Sequence, residues 1–381
     1  MRKPIDAKGK IVEINGVKFE PLPDVKYLWN YTKIAEDVAS GKIDGPSYYR
    51  TLCQDDLWFL MFFGLKVEKA NHPFVVEACY EVQEGPKSHT VDLWARGHFK
   101  TTCITFAETI QDILNDPDER IALLGYSKGV ATTFLSSIKL ALEHSEFLKT
   151  LFPDILYADP SKESPKWSEM EGITVKRKGY HKERTIEAYG LIEGMPTARH
   201  YTKLVYDDIV TLDLVNTPEI MDKVKRAYDM SRNLGQPDGT ERIRVIGTHY
   251  HHDDALVYIK NKKDPVSGKG IFHVRVKPAT KDGTASGEPV MLSYEKLAEL
   301  RTDRRSFNSQ QLLNPSPLDE ASLNPKYLVY VEPYEVPKRL HKFLIIDPAG
   351  ASIRKDRKGD CWAIMVCGVE LIVTGKHKPS I

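Results

Sequence analysis

Short apolar runs alternate with long amphipathic segments through the middle of this 381-residue chain. Residues 100–114, 129–151 and 217–233 show the apolar spacing of helices. A chain in which strands alternate with helices forms a mostly parallel sheet with helices on its faces. The sequence therefore predicts an α/β core over residues 86–265. The apolar runs that predict its strands are residues 89–94, 120–127, 185–190, 203–207 and 242–248.

Different patterns flank this core. In residues 1–85, Asn15-Gly16 between short alternating runs predicts a peripheral type I′ hairpin. The rest of that region predicts packed helices with an aromatic core. Frequent Pro and Gly predict a linker subdomain over residues 266–340. A new apolar strand, KFLIIDPAG, then starts a last unit at residues 341–381. The aromatic residues assigned to the core are Trp58, Phe59, Phe62 and Phe63.

Charge and cysteine content exclude several classes of protein. With 54 Lys and Arg against 53 Asp and Glu, no global positive field attracts a polyanion, so nucleic acid would have to bind local basic patches. The five cysteines are spread out without a CxxC pair, which favours a reducing cytosol over a disulfide framework. The first residues lack an apolar signal segment, and residues 57–65 are too short to cross a bilayer. We expect no membrane association.

The segment VDLWARGHFKTT places Lys100 and Thr101 where a buried strand meets a helix. Backbone N–H groups and the helix dipole favour phosphate at such a junction. Lys100 is therefore a candidate to contact the β- and γ-phosphates of ATP, and Thr101 a candidate to bind Mg²⁺. Trp94 and Phe99 occupy the two glycine positions of the usual pattern. From this pattern alone, an ordinary helix whose first turn happens to hold Lys and Thr is an equally good interpretation.

Two carboxylates end the apolar strand LVYDD. Asp207 would hold Mg²⁺ through water, and Asp208 would orient the attacking water. Caps of the following turn are the alternative reading of this pair. A further strand ends at Thr248, a candidate sensor of the γ-phosphate. In the His- and Asp-rich segment after it, Asp253 or Asp254 is better placed to cap a helix than to bind a metal.

These segments together resemble the large terminase subunit of tailed bacteriophages, the ATPase that drives DNA into a procapsid. The resemblance covers most of the chain. WARGHFKTT keeps an Arg ahead of the Lys-Thr pair, GLIEGMPTARHYTKLVYDD has an Arg ahead of the acidic strand, and IGTHYHHDD is similar to the coupling motif. FNSQQLLNPSP resembles the Gln and Asn-Pro signature that closes the ATPase region, at Gln310 and Pro315. Phe99 and Asp208 depart from the usual Gly and Glu of the family.

The resemblance implies a P-loop NTPase fold of the ASCE/RecA-like type, with ATP and Mg²⁺ as cofactors. It implies that Asp208 is catalytic and that Arg96 or Arg199, from this chain or a neighbouring subunit, stabilises the transition-state charge. The residues implied in nucleotide binding are Arg96, Gly97, Lys100, Thr101, Thr102, Asp207 and Thr248, with Thr101 and Asp207 as the Mg²⁺ ligands.

The resemblance also implies partners and a location. The partners are double-stranded DNA, the portal protein and the small terminase subunit, with assembly as a ring in the host cytoplasm and at the portal vertex. Basic stretches at residues 176–184 and 301–305 could track DNA phosphates, although such runs are also common as solvated faces.

A nuclease of ribonuclease H type follows in the family, with carboxylates that hold two Mg²⁺ or Mn²⁺ ions. Asp347 at the end of KFLIID and Asp360 before the next apolar run are the matching candidates. Only Glu370 follows them, too few carboxylates for a two-metal site. We expect that this chain does not cut DNA, because it is truncated or because a separate chain supplies the nuclease. Mn²⁺-dependent cleavage of plasmid DNA would refute that expectation.

Two other functions remain open. A helicase-like ATPase is disfavoured, because no second motor lobe fits after residue 265. A docking module of a different class would have a phosphate loop closed by Phe99 and would contact portal or DNA without turnover.

Overall fold

The computed structural model describes residues 5–6, 11–315, 332, 334, 336, 340–347 and 363–369. The chain divides into two compact units, Met1–Glu320 and Ala321–Ile381. The boundaries at residues 85 and 265 that the sequence predicts fall inside the first unit. Within the described ranges, no helix has both the length and the apolar character that a bilayer span requires.

The described strands are β1 (Ile5–Asp6), β2 (Val12–Ile14), β3 (Val17–Phe19), β4 (Lys26–Tyr27), β5 (Thr90–Trp94), β6 (Ile121–Gly125), β7 (Trp167–Ser168), β8 (Gly172–Ile173), β9 (Ile186–Gly190), β10 (Lys203–Asp207), β11 (Arg242–Gly247), β12 (His273–Lys277), β13 (His341–Asp347) and β14 (Ala363–Val369).

The described α-helices are α1 (Tyr31–Ala39), α2 (Gly45–Asp55), α3 (Leu57–Phe59), α4 (Pro73–Glu84), α5 (Thr109–Asn115), α6 (Lys128–His144), α7 (Glu146–Leu151), α8 (Pro160–Glu163), α9 (Pro218–Ser231), α10 (Ala255–Lys260), α11 (Tyr294–Leu300) and α12 (Arg304–Ser306). Segments Leu60–Gly64, Thr101–Glu108 and Phe307–Gln311 are π-helical, and Glu68–Ala70, Leu212–Val215 and Arg232–Leu234 are 3₁₀-helical.

An eight-stranded sheet in the order β12-β5-β11-β10-β6-β9-β8-β7 forms the centre of the first unit. The six strands from β12 to β9 are parallel, and β8 and β7 continue the sheet antiparallel. This arrangement confirms the predicted mostly parallel α/β sheet. The edge strand β12 lies in the segment that the sequence assigned to a linker. Its five residues are too short, and too close to Pro and Gly, to be recognised from periodicity.

The two faces of the sheet carry separate cores, because side chains alternate along each strand. On one face, Trp94, Leu123 and Val205 pack in the same core as the N-terminal helices and Thr101–Glu108. On the other face, Leu204 and Tyr206 pack with α9 and α10. Both faces of the central strands are therefore covered, which explains why these strands read as continuous apolar runs.

The N-terminal hairpin joins the first of these cores. Asn15 and Gly16 have φ angles of 54° and 74°, as the predicted type I′ turn requires. The hairpin forms a two-stranded sheet outside the central one, and its inner face packs on the first core, with Phe19 fully buried against Trp58 and Phe63. Alternation places Phe19 on the inner face together with Val17. The four aromatic residues assigned to a core are all buried, as predicted.

Buried ion pairs fix the helix that follows β5 to the sheet. Lys203 Nζ lies 3.2 Å from Glu108 Oε2 and 2.5 Å from Asp112 Oδ2, and Arg244 pairs with Glu108. Burial alone would raise the pKa of Glu108, but Arg244 and Lys203 hold that pKa below its ordinary value. The two carboxylates are therefore ionised at neutral pH, and they hold residues 101–115 against β10 and β11.

Replacing Glu108 with Gln is expected to lower the free energy of unfolding by about 3 kcal/mol, because Arg244 and Lys203 lose a buried counter-charge. Urea unfolding at neutral pH measures this loss. Glu299→Gln is the matched control, since Glu299 pairs with Lys296 in solvent and such pairs contribute about 0–1 kcal/mol. Equal effects of the two substitutions would contradict the structural role of the buried pairs.

Candidate nucleotide-binding site

The phosphate loop, residues 95–100, connects β5 to the π-helical segment Thr101–Glu108. Its start is held by two backbone bonds, from Ala95 N–H to Lys277 O and from Arg96 N–H to Gln310 O. Among the described residues, no backbone acceptor faces the N–H groups of Gly97 and Phe99. Free N–H groups ahead of a helix form a concave donor surface for an anion.

Phe99 adopts a left-handed conformation, with a φ of 63°. This is the conformation that glycine adopts easily and that a bulky residue adopts only under strain. Phe99 occupies the second glycine position of the usual pattern, so the loop keeps the backbone path of that glycine despite the side chain. The ring is half-buried and packs against the first core.

Substitutions at Phe99 test this strain. Both Phe99→Ala and Phe99→Gly remove the ring, but only glycine relieves the left-handed backbone. We expect the Gly variant to be more stable than the Ala variant by about 1 kcal/mol, the reverse of the order in an ordinary helix or strand. Thermal unfolding of the two variants measures the difference. A more stable Ala variant would show that the φ angle carries no strain.

Asp207 ends β10 with its side chain almost fully buried. Thr105 Oγ1 donates to Asp207 Oδ2 over 2.5 Å, whereas Asp207 Oδ1 has no hydrogen-bond partner in the described part of the chain. Burial and the charge of Asp208 raise the pKa of Asp207 to about 7, against the opposing effects of the Lys100 ammonium and the hydroxyls of Thr105 and Thr101. Lys100, Thr101 and Asp208 thus lie close enough to Asp207 to act on its carboxylate.

This set of groups fits Mg²⁺ and phosphate. A buried carboxylate oxygen without a partner is costly unless a ligand satisfies it. Asp207 and the Thr101 hydroxyl are hard oxygen ligands of the kind that Mg²⁺ prefers, and the Lys100 ammonium supplies positive charge for phosphate. Asp208 also has a positive φ, of 50°, and its carbonyl accepts the Tyr126 N–H over 3.2 Å. That bond fixes Asp208 at the edge where β6 and β10 end.

Arg96 is exposed and contacts two elements next to the loop. Its Nη1 lies 3.2 Å from the Tyr250 hydroxyl and 3.4 Å from Gln310 Oε1. Thr248 is buried and donates from Oγ1 to Trp94 O over 3.2 Å. Thr248 therefore ties the end of β11 to the end of β5, directly before the phosphate loop.

Arg199 lies elsewhere. Its Nη1 donates to Lys182 O over 2.7 Å, and its Nη2 lies 3.8 Å from Glu187 in β9. Arg199 precedes β10 and so lies at the amino edge of the sheet, whereas Asp207 lies at the carboxyl edge. These edges are separated by the length of the strand, roughly 13 Å. Arg199 does not join the group around Asp207 within this chain.

A cavity of about 250 Å³ runs beside the first turns of the helix after the loop. Thr101, Thr102 and Thr105 line one side of it, and Phe134 of α6 lines the other. Thr102, which follows Thr101 in sequence, lines this cavity.

The His- and Asp-rich segment after β11 forms a helix start. Asp254 is the N-cap of α10, as the sequence predicted for Asp253 or Asp254, and it accepts the N–H groups of Leu256 and Val257. His249 Nδ1 lies 3.1 Å from Asp254 Oδ2. No group of three or more His, Cys, Asp or Glu positioned for a metal occurs within the described ranges.

Sequence reasoning missed Thr105 and Tyr250. Thr105 follows Thr101 by four residues, about one helical turn, so the spacing could have placed both hydroxyls on the face towards Asp207. Tyr250 gave no such signal, because its contact with Arg96 joins residues 154 positions apart.

The second unit contains β13 and β14, which pair antiparallel. Asp347 is the last residue of β13, as predicted, and lies opposite Ala363 in the register. Asp360 lies outside the described residues, so the incomplete nuclease site stays a prediction from the sequence.

Strand order and loop position together define the α/β P-loop NTPase fold. The strand β11 lies between β5, which leads into the phosphate loop, and β10, which ends in the acidic pair. One strand is therefore inserted between the strands that carry the two motifs. All three strands are parallel, so their carboxyl ends meet at one edge of the sheet.

Comparisons with known proteins add a distant structural neighbour. A scan of protein-family models found no match, and a search of curated proteins also found none. A chain from the solved structure of S. cerevisiae dbp5 bound to nup159, gle1, IP6 and ADP matches with a TM-score of 0.33 and 10% sequence identity. The match covers 60% of this chain and 54% of that chain, so it spans about half the length of the neighbour.

Proposed function

We propose that this chain binds Mg²⁺ and ATP and hydrolyses the terminal phosphoanhydride. The observation that carries the proposal is the buried carboxylate of Asp207, one oxygen of which has no partner among the described residues, at the sheet edge where β5 leads into the phosphate loop. Phosphoryl transfer requires positioning and charge neutralisation more than covalent chemistry, and the residues at this edge supply both.

Each residue has a separate role in this proposal. The N–H groups of the phosphate loop and the Lys100 ammonium bind the phosphate oxygens. Thr101 and Asp207 hold Mg²⁺, which when bound neutralises the charge that develops on the phosphates. Asp208 accepts a hydrogen bond from the attacking water and orients it in line with the scissile bond. Ionisation of Asp207 on Mg²⁺ binding releases the proton that its raised pKa retains near neutral pH.

Arg96 supplies a mobile positive charge. Its guanidinium is exposed, and its partners among the described residues are the neutral Tyr250 hydroxyl and Gln310 Oε1, so it can exchange them for a phosphate oxygen. Arg199 would act on nucleotide only in a neighbouring subunit, because its own site lies across the sheet.

We further propose that turnover drives double-stranded viral DNA into a procapsid, as in a large terminase subunit. The terminase-like segments support this finer assignment. Two of them, WARGHFKTT and FNSQQLLNPSP, are adjacent in space through the Arg96–Gln310 bonds. The portal protein and the small terminase subunit are the partners that this function would require.

The alternative is a P-loop scaffold that contacts portal or DNA without turnover. Phosphate release by the purified chain, measured with Mg²⁺ and ATP in the presence and absence of duplex DNA, separates the two functions. The motor is expected to hydrolyse ATP faster with DNA. If the chain neither binds a fluorescent ATP analogue nor hydrolyses ATP, with or without DNA, the scaffold remains as the function.

A further inference from the structure

A rigid basic loop, residues 176–184, precedes β9 at the amino edge of the sheet. It holds five Lys and Arg residues and a single carboxylate, that of Glu183. Glu183 is 5% exposed and accepts the His200 N–H, so it points away from solvent. Lys178 and Lys182 are exposed. The outward charge of the loop is therefore positive although the net charge of the chain is only +1.

Several hydrogen bonds hold the loop in shape. Arg177 bridges its two arms by donating to Glu183 O and His181 O over 2.8 and 3.1 Å. Gly179 N–H donates to Asp118 Oδ1 over 2.8 Å, and Lys182 Nζ donates to Ala198 O over 2.7 Å. A loop with this many cross-links loses little conformational entropy when it binds a partner.

Positive charge accumulates around the loop. Burial lowers the pKa of Arg177, and the neighbouring Arg184 and Arg120 lower it further, against the effect of Asp118. Arg199 also lies beside the loop through its bond to Lys182 O, but its charge is paired with Glu187 at 3.8 Å. Asp118 is the carboxylate that opposes this charge most directly, and it is already used by Gly179 N–H and lies 3.7 Å from His181.

Tyr180 stands at the tip with its side chain fully exposed. Within the described residues it is the only large exposed hydrophobic side chain in this loop. A protein partner would require a wider apolar centre, since interfaces bury a hydrophobic core. A single strand of nucleic acid would require successive aromatic platforms for its bases. One aromatic tip among cations instead fits a phosphate backbone.

We propose that the loop at residues 176–184 binds the phosphate backbone of double-stranded DNA, with Lys178 and Lys182 contacting phosphates and Tyr180 donating a hydrogen bond to one. This surface deepens the proposed function, since it rests on a motor that acts on duplex DNA. It lies at the edge opposite Asp207, so DNA and nucleotide bind at separate sites and their binding can be measured independently.

The test is the salt dependence of binding to a fluorescent blunt duplex, measured by anisotropy without nucleotide. Each phosphate contact contributes about 0.9 to the slope of log affinity against log salt. The double variant Lys178→Ala/Lys182→Ala is expected to lower that slope by about 2 and to weaken binding on the order of tenfold at about 0.1 M salt. Tyr180→Ala is expected to weaken binding without changing the slope.

A matched control removes the same charge elsewhere. Lys281 and Lys296 are exposed and paired with Glu288 and Glu299, so Lys281→Ala/Lys296→Ala is expected to leave the slope unchanged. Lys182 bonds to Ala198 O, so Lys178→Glu alone, at an exposed side chain, leaves that bond in place and is still expected to lower the slope.

Three results would overturn the proposal. The first is an unchanged salt slope in both Lys178→Glu and the double variant. The second is an equal decrease of the slope in the Lys281→Ala/Lys296→Ala control. The third is wild-type protein that binds single strands or anionic vesicles but not duplex DNA. Failure of the proposed ATPase is distinguishable, because it would leave this binding and its slope intact. Conversely, if the loop variants show the wild-type slope while the chain binds nucleotide normally, only the proposed DNA-binding surface is wrong.

Discussion

Lys100→Ala is expected to lower kcat/KM for ATP by about 10³-fold, which corresponds to ~4 kcal/mol of transition-state stabilisation. Lys100 is the cation of the phosphate loop, and its charge acts on the same buried carboxylate that would hold Mg²⁺. Alanine leaves the developing phosphate charge without its positive partner. Steady-state phosphate release with saturating Mg²⁺ measures the change.

Lys223→Ala is the matched control for this substitution. Lys223 is exposed on α9, away from the loop, and its loss is expected to leave turnover within about twofold. Both variants are expected to unfold at the wild-type temperature within a few degrees. Turnover in Lys100→Ala comparable to that of the control would exclude the phosphate loop as the site of hydrolysis.

Asp207→Asn is expected to lower Mg²⁺-dependent turnover by about 10²- to 10³-fold. The same substitution is expected to stabilise the nucleotide-free protein at alkaline pH. The first effect follows because an amide cannot replace the carboxylate as a charged metal ligand. The second follows from the raised pKa of about 7, since ionising a fully buried carboxyl opposes folding.

The sign of the pH effect is fixed by that raised pKa. In the unfolded chain an aspartate ionises near its ordinary pKa of about 4, whereas folded Asp207 keeps its proton up to about pH 7. Below both values the residue contributes nothing, and as pH rises through this window the wild type loses stability. The asparagine variant does not titrate, so its stability relative to wild type is expected to increase by about 2–3 kcal/mol from about pH 5 to about pH 8.

Urea unfolding at the two pH values, without Mg²⁺ or nucleotide, measures this gain. Asp222→Asn on the exposed side of α9 is the control and is expected to show no such trend. A constant difference between Asp207→Asn and wild type at both pH values would contradict a buried, protonated Asp207.

The central strands were predictable because their sequence signal is local. The run at residues 203–207 matches β10 residue for residue, since a strand buried on both faces is apolar throughout and its end is marked by charge. The same signal placed Lys100, Thr101 and Asp207 at strand ends, and parallel pairing then brought those ends to one edge. The mostly parallel sheet, and the edge at which these residues lie, could therefore be predicted from the sequence.

The remaining features depend on distant contacts or on backbone strain. Phe99 breaks the glycine rule, and only the structure shows that the left-handed path survives, with its carbonyl accepting Cys103 N–H in the first helical turn. Arg199 resembled a catalytic arginine by its place before a strand, yet that place is at the amino edge of the sheet. The Arg96–Tyr250 contact joins two loops that no periodicity relates.

A structure of the chain with Mg²⁺ and a non-hydrolysable ATP analogue tests the central claim most directly. We expect a triphosphate in the phosphate loop, with Lys100 Nζ within hydrogen-bond distance of the β- and γ-phosphates. We also expect Mg²⁺ at the Thr101 hydroxyl and the Asp207 carboxylate. Nucleotide bound elsewhere, or a loop in which Phe99 excludes the phosphates, would contradict the proposed site.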